Sequence, residues 1–388
     1  MSSASAWWQQ LRQEWLIPEV AAARCVHTQC EIAECVRCVD ICPQDAWILQ
    51  DDSLSIQTDV CDGCGLCGAA CTEAALDTPM QASCHKLEGR STLLFACEAN
   101  AKGHHGAGVV PCLHALSSRR LMSYYQQGFQ QIISCRGVCE QCPRYTGKDL
   151  FRERLHELNQ LLVSRQAAVL RHATVGAARW WHYRQNLPKV NVSPSFTQSS
   201  VTPVDFTQSE PTVEERRGFL GVAVKLTAST AFQVQQALDI ASEDQNKPVT
   251  PWAAQLPQAD ASVLWPFVPV LDEERCNACD ACVRLCPHDA LTLDTVEALE
   301  GMNVSSLAYC IHPELCTGCE LCVDSCDVQA VSLHKLQTQV QKVLPLYQAR
   351  CKACGTDFHY PAQDGVQPVY CRICAKTNHH RNLFQVLS

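Results

Sequence analysis

The chain carries 28 Cys, most of them at C-x2-C spacing, and no other feature limits its folds as tightly. Sulfur in that rhythm serves either disulfides or metals. A disulfide framework belongs to short secreted chains with a leader. The segment from Met1 to Leu16 shows neither a basic start nor an apolar core, so no leader is expected. The thiols are therefore read as metal ligands in a reducing, cytoplasmic setting. No stretch approaches the ~18 consecutive apolar residues of a membrane-spanning helix. A formal charge of −9 argues against nucleic-acid backbones as partners.

The cysteines recur in an internal repeat. Its four copies are Cys42-Pro-Gln-Asp-Ala46-Trp, Cys71-Thr-Glu-Ala-Ala75-Leu, Cys286-Pro-His-Asp-Ala290-Leu and Cys326-Asp-Val-Gln-Ala330-Val. Each places an Ala four residues after the last Cys of a run, with an apolar residue behind it. This reads as a Cys loop left by one helical turn, a small residue that allows close approach, and then a short strand. Pro43 and Pro287 suit the first position of such a turn, where a missing N–H costs little.

The downstream pair of runs is Cys276-x2-Cys279-x2-Cys282-x3-Cys286-Pro and Cys316-x2-Cys319-x2-Cys322-x3-Cys326. Over about 270–335 it resembles the bacterial two-cluster ferredoxins, in which the fourth Cys of each run ligates the other cluster. The resemblance implies one [4Fe–4S] centre on Cys276, Cys279, Cys282 and Cys326, and another on Cys316, Cys319, Cys322 and Cys286. The spacing suits that chemistry. One tight loop delivers three thiolates to a cubane, and the fourth comes from the partner run. A zinc site would need isolated C-x2-C pairs instead.

The upstream pair, in 24–80, departs from this pattern. Cys61, Cys64, Cys67 and Cys71 form an intact run, with Thr72 in place of Pro. The other run has Cys35, Cys38 and Cys42, but Ile32 stands where a first Cys is expected. Cys30 or Cys25 supplies the missing thiolate, and the shorter loop favours Cys30 on closure entropy. The expected sets are Cys30, Cys35, Cys38 and Cys71, and Cys61, Cys64, Cys67 and Cys42. Gly63-Cys64-Gly65-Leu66-Cys67-Gly68 also matches the dinucleotide fingerprint, but no βαβ unit surrounds it. Its glycines are read as shaping a cluster loop.

Residues 90–150 are expected to form a small α/β module. Ser91–Cys97 and Gln131–Cys135 read as buried strands and Leu113–Gln127 as a helix. Cys97-Glu-Ala-Asn100, Val110-Pro-Cys112-Leu and Cys135 with Cys139 and Cys142 resemble the delta subunit of methyl-viologen-reducing hydrogenases. That resemblance implies a [2Fe–2S] centre, with Cys97, Cys112, Cys135, Cys139 and Cys142 as five candidates for four places. His104 and His105 read as loop residues.

Residues 151–185 form a basic segment in which Leu155, Leu158 and Leu162 mark an amphipathic helix. Its basic side suits an acidic redox partner, or simply solvent. Residues 186–265 read as a linker, with Pro248, Pro251, Pro257, Pro266 and Pro269 marking an irregular approach to the next unit. Glu215-Arg216-Arg217-Gly218-Phe219-Leu220-Gly221 resembles a twin-arginine motif, but its internal position argues against export. In 345–388, Cys351-x2-Cys354 and Cys371-x2-Cys374 stand sixteen residues apart, as in zinc ribbons.

The expected fold class is α+β: two ferredoxin-like units flanking an α/β module, with a carboxyl-terminal zinc ribbon. The expected function is single-electron relay through four [4Fe–4S] clusters. By resemblance to polyferredoxins the partners are a hydrogenase or formate dehydrogenase and a further acceptor. Two alternatives remain: an assembly protein for a metalloenzyme, and a redox enzyme subunit using the 97–142 cysteines. No paired carboxylates, nucleophile–base pair or phosphate loop points to a catalytic residue.

Overall fold

In this computed structural model, residues 16–101, 106–190, 249–258, 262–296, 306–361 and 367–377 are described. The two His of the 103–108 loop, the twin-arginine segment and most of the linker lie outside them.

One local rule builds the cysteine loops. The residue three after the last Cys of each run adopts a left-handed conformation: Asp45 at φ 50°, Ala74 at 49°, Asp289 at 55° and Gln329 at 52°. The chain therefore reverses in a tight turn, and the expected helical turn at this point does not form. The Ala that follows is 0–3 % exposed in all four copies. Its reversed N–H points back at the cysteine, with Ala290 N donating to Cys286 Sγ at 3.2 Å and Ala330 N to Cys326 Sγ at 3.1 Å. A larger residue would meet the core that seals the loop.

The upstream unit holds α1 (Val26–Gln29), α2 (Arg37–Asp40), the hairpin β1 (Trp47–Leu49) and β2 (Leu54–Ile56), and α3 (Leu66–Ala70). Its ends meet in a single antiparallel bridge, Val20 with Leu76.

The central module is a sheet buried on both faces. Its strands are β3 (Ser83–Leu87), β4 (Arg90–Cys97) and β5 (Val109–Val110), then, beyond α4 (Ser118–Gln126), β6 (Gln131–Cys135). The chain continues through α5 (Leu150–Ser164) into β7 (Arg171–Thr174) and α6 (Ala177–Asn186). Strands β4, β6 and β7 run parallel. Leu93, Phe95 and Ile132 pack against α4 and α5, while Leu94, Ala96 and Ile133 pack around Trp180 of α6. An apolar run without alternation is what a doubly covered parallel strand requires. Ser117 and Asp149 cap α4 and α5, each worth about 1 kcal/mol.

The sheet thus runs past residue 150 and takes in the segment read from sequence as a separate basic helix. Several of its cations turn inward. Arg154 donates to the His114 carbonyl, and Arg165 donates to the Leu264 carbonyl at 2.6 Å.

The downstream unit is β8 (Leu264–Leu271), α7 (Ala281–Arg284), β9 (Leu291–Val296), β10 (Ser306–Ile311), α8 (Leu321–Asp324) and β11 (Val331–Thr338). Strand β8 pairs with β11, and β9 with β10, both antiparallel. Pro266 and Pro269, read as irregular from sequence, lie inside β8, which pairs on one side only and tolerates the missing donors. The tail adds β12 (Val343–Arg350), β13 (Asp357–Pro361) and α9 (Arg372–Thr377). Strand β12 pairs with β10, so the tail extends the downstream sheet. Among the described residues, no helix is long and apolar enough to cross a membrane.

Candidate metal centres

Three of the four loops share a second feature. Gly63, Ala278 and Gly318 are left-handed two residues after the first Cys of their runs, and Gly65, Asp280 and Glu320 are left-handed directly after the second Cys. These reversals curl the loop so that three sulfurs face one point. Gly63 and Gly65 therefore serve loop geometry, in keeping with the dismissal of a dinucleotide fingerprint.

The loops bring the fourth cysteine of each run to the opposite run. A space of about 360 Å³ is lined by Cys316, Cys319 and Cys322 together with Cys286, and another of about 300 Å³ by Cys61, Cys64 and Cys67 together with Cys42. At a third site burial pushes the Cys282 thiol up to about 12, and Cys276, Cys279 and Cys326 add to the rise. At the fourth, burial pushes Cys38 up to about 12, helped by Cys71, Cys35 and Cys25. We name these the Cys316, Cys61, Cys276 and Cys25 sites.

Cys25 thus stands where spacing alone favoured Cys30, and the backbone shows why. Cys276 lies five residues after Leu271, which pairs with Val331, and Asp272 N donates to the Ala330 carbonyl at 2.8 Å. Cys25 lies five residues after Val20, which pairs with Leu76, and Ala21 N donates to the Ala75 carbonyl at 2.8 Å. The bridge fixes Cys25 in the position of Cys276, so loop-closure entropy has no say. Cys30 ends α1 and packs instead with Val26, Ala33 and Leu321. The mirrored spacing of Val20 and Leu271 was a sequence signal that could have found this.

In the module, four of the five candidate cysteines meet. Burial pushes Cys112 up to about 12, with Cys97 and Cys142 contributing. Burial also raises Cys139, and Cys97 adds to that rise. Cys135 lies apart, on the opposite face of the sheet with Trp180, and accepts a hydrogen bond from Asn100 Nδ2 at 3.1 Å. Arg144 ties this group to the Cys61 site. It donates to Asp62 Oδ2 at 2.6 Å and to the Pro111 carbonyl at 2.7 Å, beside Cys64 and Cys112.

The tail cysteines behave differently. The sulfurs of Cys351, Cys354, Cys371 and Cys374 lie within 4.8 Å of one another, with Cys354 and Cys371 at 3.9 Å. Tetrahedral zinc with Zn–S of about 2.3 Å puts sulfurs roughly 3.8 Å apart. Among the described residues, no other set of three or more donors closes this tightly. Against desolvation, backbone N–H groups of Cys354, Cys371 and Ala353 hold the Cys351 thiol near 6. His359 bonds to Asp280 at 2.7 Å, fixing the tail to the loop of the Cys276 site.

The donor sets also discriminate between occupants. Converging buried thiols that raise one another are poor as free thiolates, and a polynuclear cation would relieve both desolvation and repulsion. The ring of N–H···S bonds supplies what such sulfurs need beyond the metal.

The 4Fe-4S dicluster domain family matches residues 275–330. A search of curated proteins finds no match to the chain. The matched segment covers both downstream runs, so this part of the chain is ferredoxin-like and binds [4Fe–4S] clusters, which points to iron–sulfur electron transfer.

Proposed function

We propose that the chain is a multi-centre electron relay, with [4Fe–4S] clusters at the Cys276, Cys316, Cys61 and Cys25 sites. The observation that carries this reading is the fourfold turn, in which the last cysteine of a run accepts an N–H from a buried Ala while its sulfur joins the opposite run. It recurs outside the matched segment, at Cys42 and Cys71, where Ala46 N donates to Cys42 Sγ at 3.5 Å. The ligands of the upstream centre are then Cys25, Cys35, Cys38 and Cys71. In the module, Cys97, Cys112, Cys139 and Cys142 hold a [2Fe–2S] centre, leaving Cys135 as a buried thiol. Cys351, Cys354, Cys371 and Cys374 hold zinc, which braces the short tail.

Bound clusters supply one-electron chemistry. The chain's share is to hold four sulfurs at each site, exclude water with residues such as Leu66, Leu321 and Tyr309, and aim amide donors at the sulfurs. The acceptor and donor are redox proteins, a hydrogenase or formate dehydrogenase among the candidates.

The test is metal and sulfide analysis of anaerobically prepared chain. Four cubanes and one [2Fe–2S] centre would give about eighteen iron with equal sulfide, alongside a single zinc.

A further inference from the structure

The break in the upstream pattern has a physical location. Two residues separate Cys61 from Cys64, Cys276 from Cys279 and Cys316 from Cys319, but nine separate Cys25 from Cys35. Those nine hold α1, Cys30, Ala33 and Glu34, and they lie against the other ferredoxin-like unit. Val26 and Ala33 pack with Leu321, and around them gather Cys35 of one site and Cys319 of the other. Glu34 N donates to Asp324 Oδ2 at 2.9 Å. Just beyond the loop, Arg37 donates to the Gly318 carbonyl at 2.5 Å and pairs with Glu320 at 2.9 Å. A second contact flanks the first, with His288 bonded to Glu73 at 2.5 Å, both largely buried.

We propose that this enlarged loop and its Arg37 clamp join the two units into one electron path that crosses between the Cys25 and Cys316 sites. The path then has a fixed order. The module centre adjoins the Cys61 site through Arg144, the Cys61 and Cys25 sites share the upstream unit, and the Cys316 and Cys276 sites share the downstream one. The Cys276 site lies farthest along, capped by the tail through Asp280 and His359. With clusters bound, Cys25, Cys35, Cys38 and Cys71 on one side and the Cys316 set on the other would hold the two centres between which one electron crosses. No bond in the chain forms or breaks, and a low-potential one-electron donor supplies the electron. Arg37 is a positioning residue. Its guanidinium fork engages a carbonyl and a carboxylate at once, which a lysine cannot reproduce. Tunnelling decays steeply with distance, so holding two loops in contact decides whether two dicluster units act as one.

This inference rests on the relay reading, and the test separates them. The full chain is reduced anaerobically with dithionite, comparing wild type, Arg37→Ala, Arg37→Lys and a chain whose residues 26–34 are replaced by two residues. Iron and sulfide per chain report that the sites are filled. Magnetic interaction between reduced centres, seen in EPR, and the rate of electron redistribution after flash reduction report the crossing. Wild type should show interaction across the junction. Arg37→Ala and the shortened loop should keep their iron, lose that interaction and slow redistribution at least tenfold. Arg37→Lys keeps the charge beside Cys35, so its potentials should match wild type while its interaction weakens. Full iron with unchanged interaction and rate in both Arg37→Ala and the shortened loop overturns the inference and leaves the relay standing. Loss of iron from Arg37→Ala also overturns it, because the clamp would then support a site and not a crossing. Absence of iron from wild type overturns the relay itself.

Discussion

The loop from Cys25 to Cys42 and its downstream counterpart from Cys276 to Cys286 start from the same bridge and end in the same turn, yet differ between. The downstream loop is short, and its strands are long: β8 and β11 run side by side over eight residues each. The upstream unit has a three-residue hairpin and a single bridge in their place. What it lacks in pairing it makes up in contacts to neighbours, through Arg37 and Glu34 to the downstream unit and through Asp62 to Arg144 of the module. One unit is held by its own sheet, the other by what surrounds it.

The largest expected effect comes from testing whether the two loops are equivalent. Cys25→Ser should remove one cubane, about four iron per chain, as Cys276→Ser should. Cys30→Ser should remove none. Equal iron loss from Cys30→Ser and none from Cys25→Ser would break the equivalence.

Next, Arg144→Met should weaken the upstream unit's attachment to the module by about 1.5–3 kcal/mol, the range for hydrogen bonds to charged groups. The check is chemical denaturation followed by iron release, in which the Cys61 site should empty before the Cys276 site.

Enlarging the buried Ala should cost about 1–3 kcal/mol by overpacking. Ala46→Val and Ala290→Val test this in the two units. The upstream variant should lose iron at lower temperature, because its three-residue hairpin has little pairing to spare.

The smallest effect concerns the tail. Cys351 is held near 6, well below an ordinary thiol at 9, so its thiolate is already present at pH 7. Cys374 is instead pushed up to about 12 by burial and by its hydrogen bonds with the neighbouring cysteines, so zinc must displace its proton. Zinc affinity of the demetallated chain should keep rising with pH above 7 and fall more steeply as pH drops through about 6. Cys316, likewise pushed up to about 12 by burial, must also give up its proton on loading. Competition with a zinc chelator across pH 5–8 measures the tail directly, and a pH slope that does not steepen below about 6 would contradict it.

Much of this was legible in the sequence because cysteine spacing is a strict geometric record. The two runs at 276–326, the strands ending at Cys97 and Cys135 and the tail hooks follow from periodicity and interval, while the crossing between the runs is what the resemblance to two-cluster ferredoxins implies. The rest hid where information sits in backbone pairing. The choice of Cys25 over Cys30 rests on the bridge of Val20 to Leu76, five residues before Cys25, and a single bridge leaves no apolar run to notice. The turn after each last Cys reads as helical because Pro43 and Pro287 favour a helix start, whereas the left-handed residue two positions later ends it. Strand β7, Arg171-His172-Ala173-Thr174, is short and polar, and it is a strand only because β6 offers a free edge. Arg154 and Arg165 look like a docking face until tertiary packing points them at carbonyls.

The most direct test of the central claim is quantitative iron, sulfide and zinc analysis of full chain prepared without oxygen, with EPR during stepwise reduction. The expected result is about eighteen iron, equal sulfide and cubane signals that appear in successive steps, with zinc confined to the tail. Colourless material, or zinc in place of iron at residues 276–326, would contradict it.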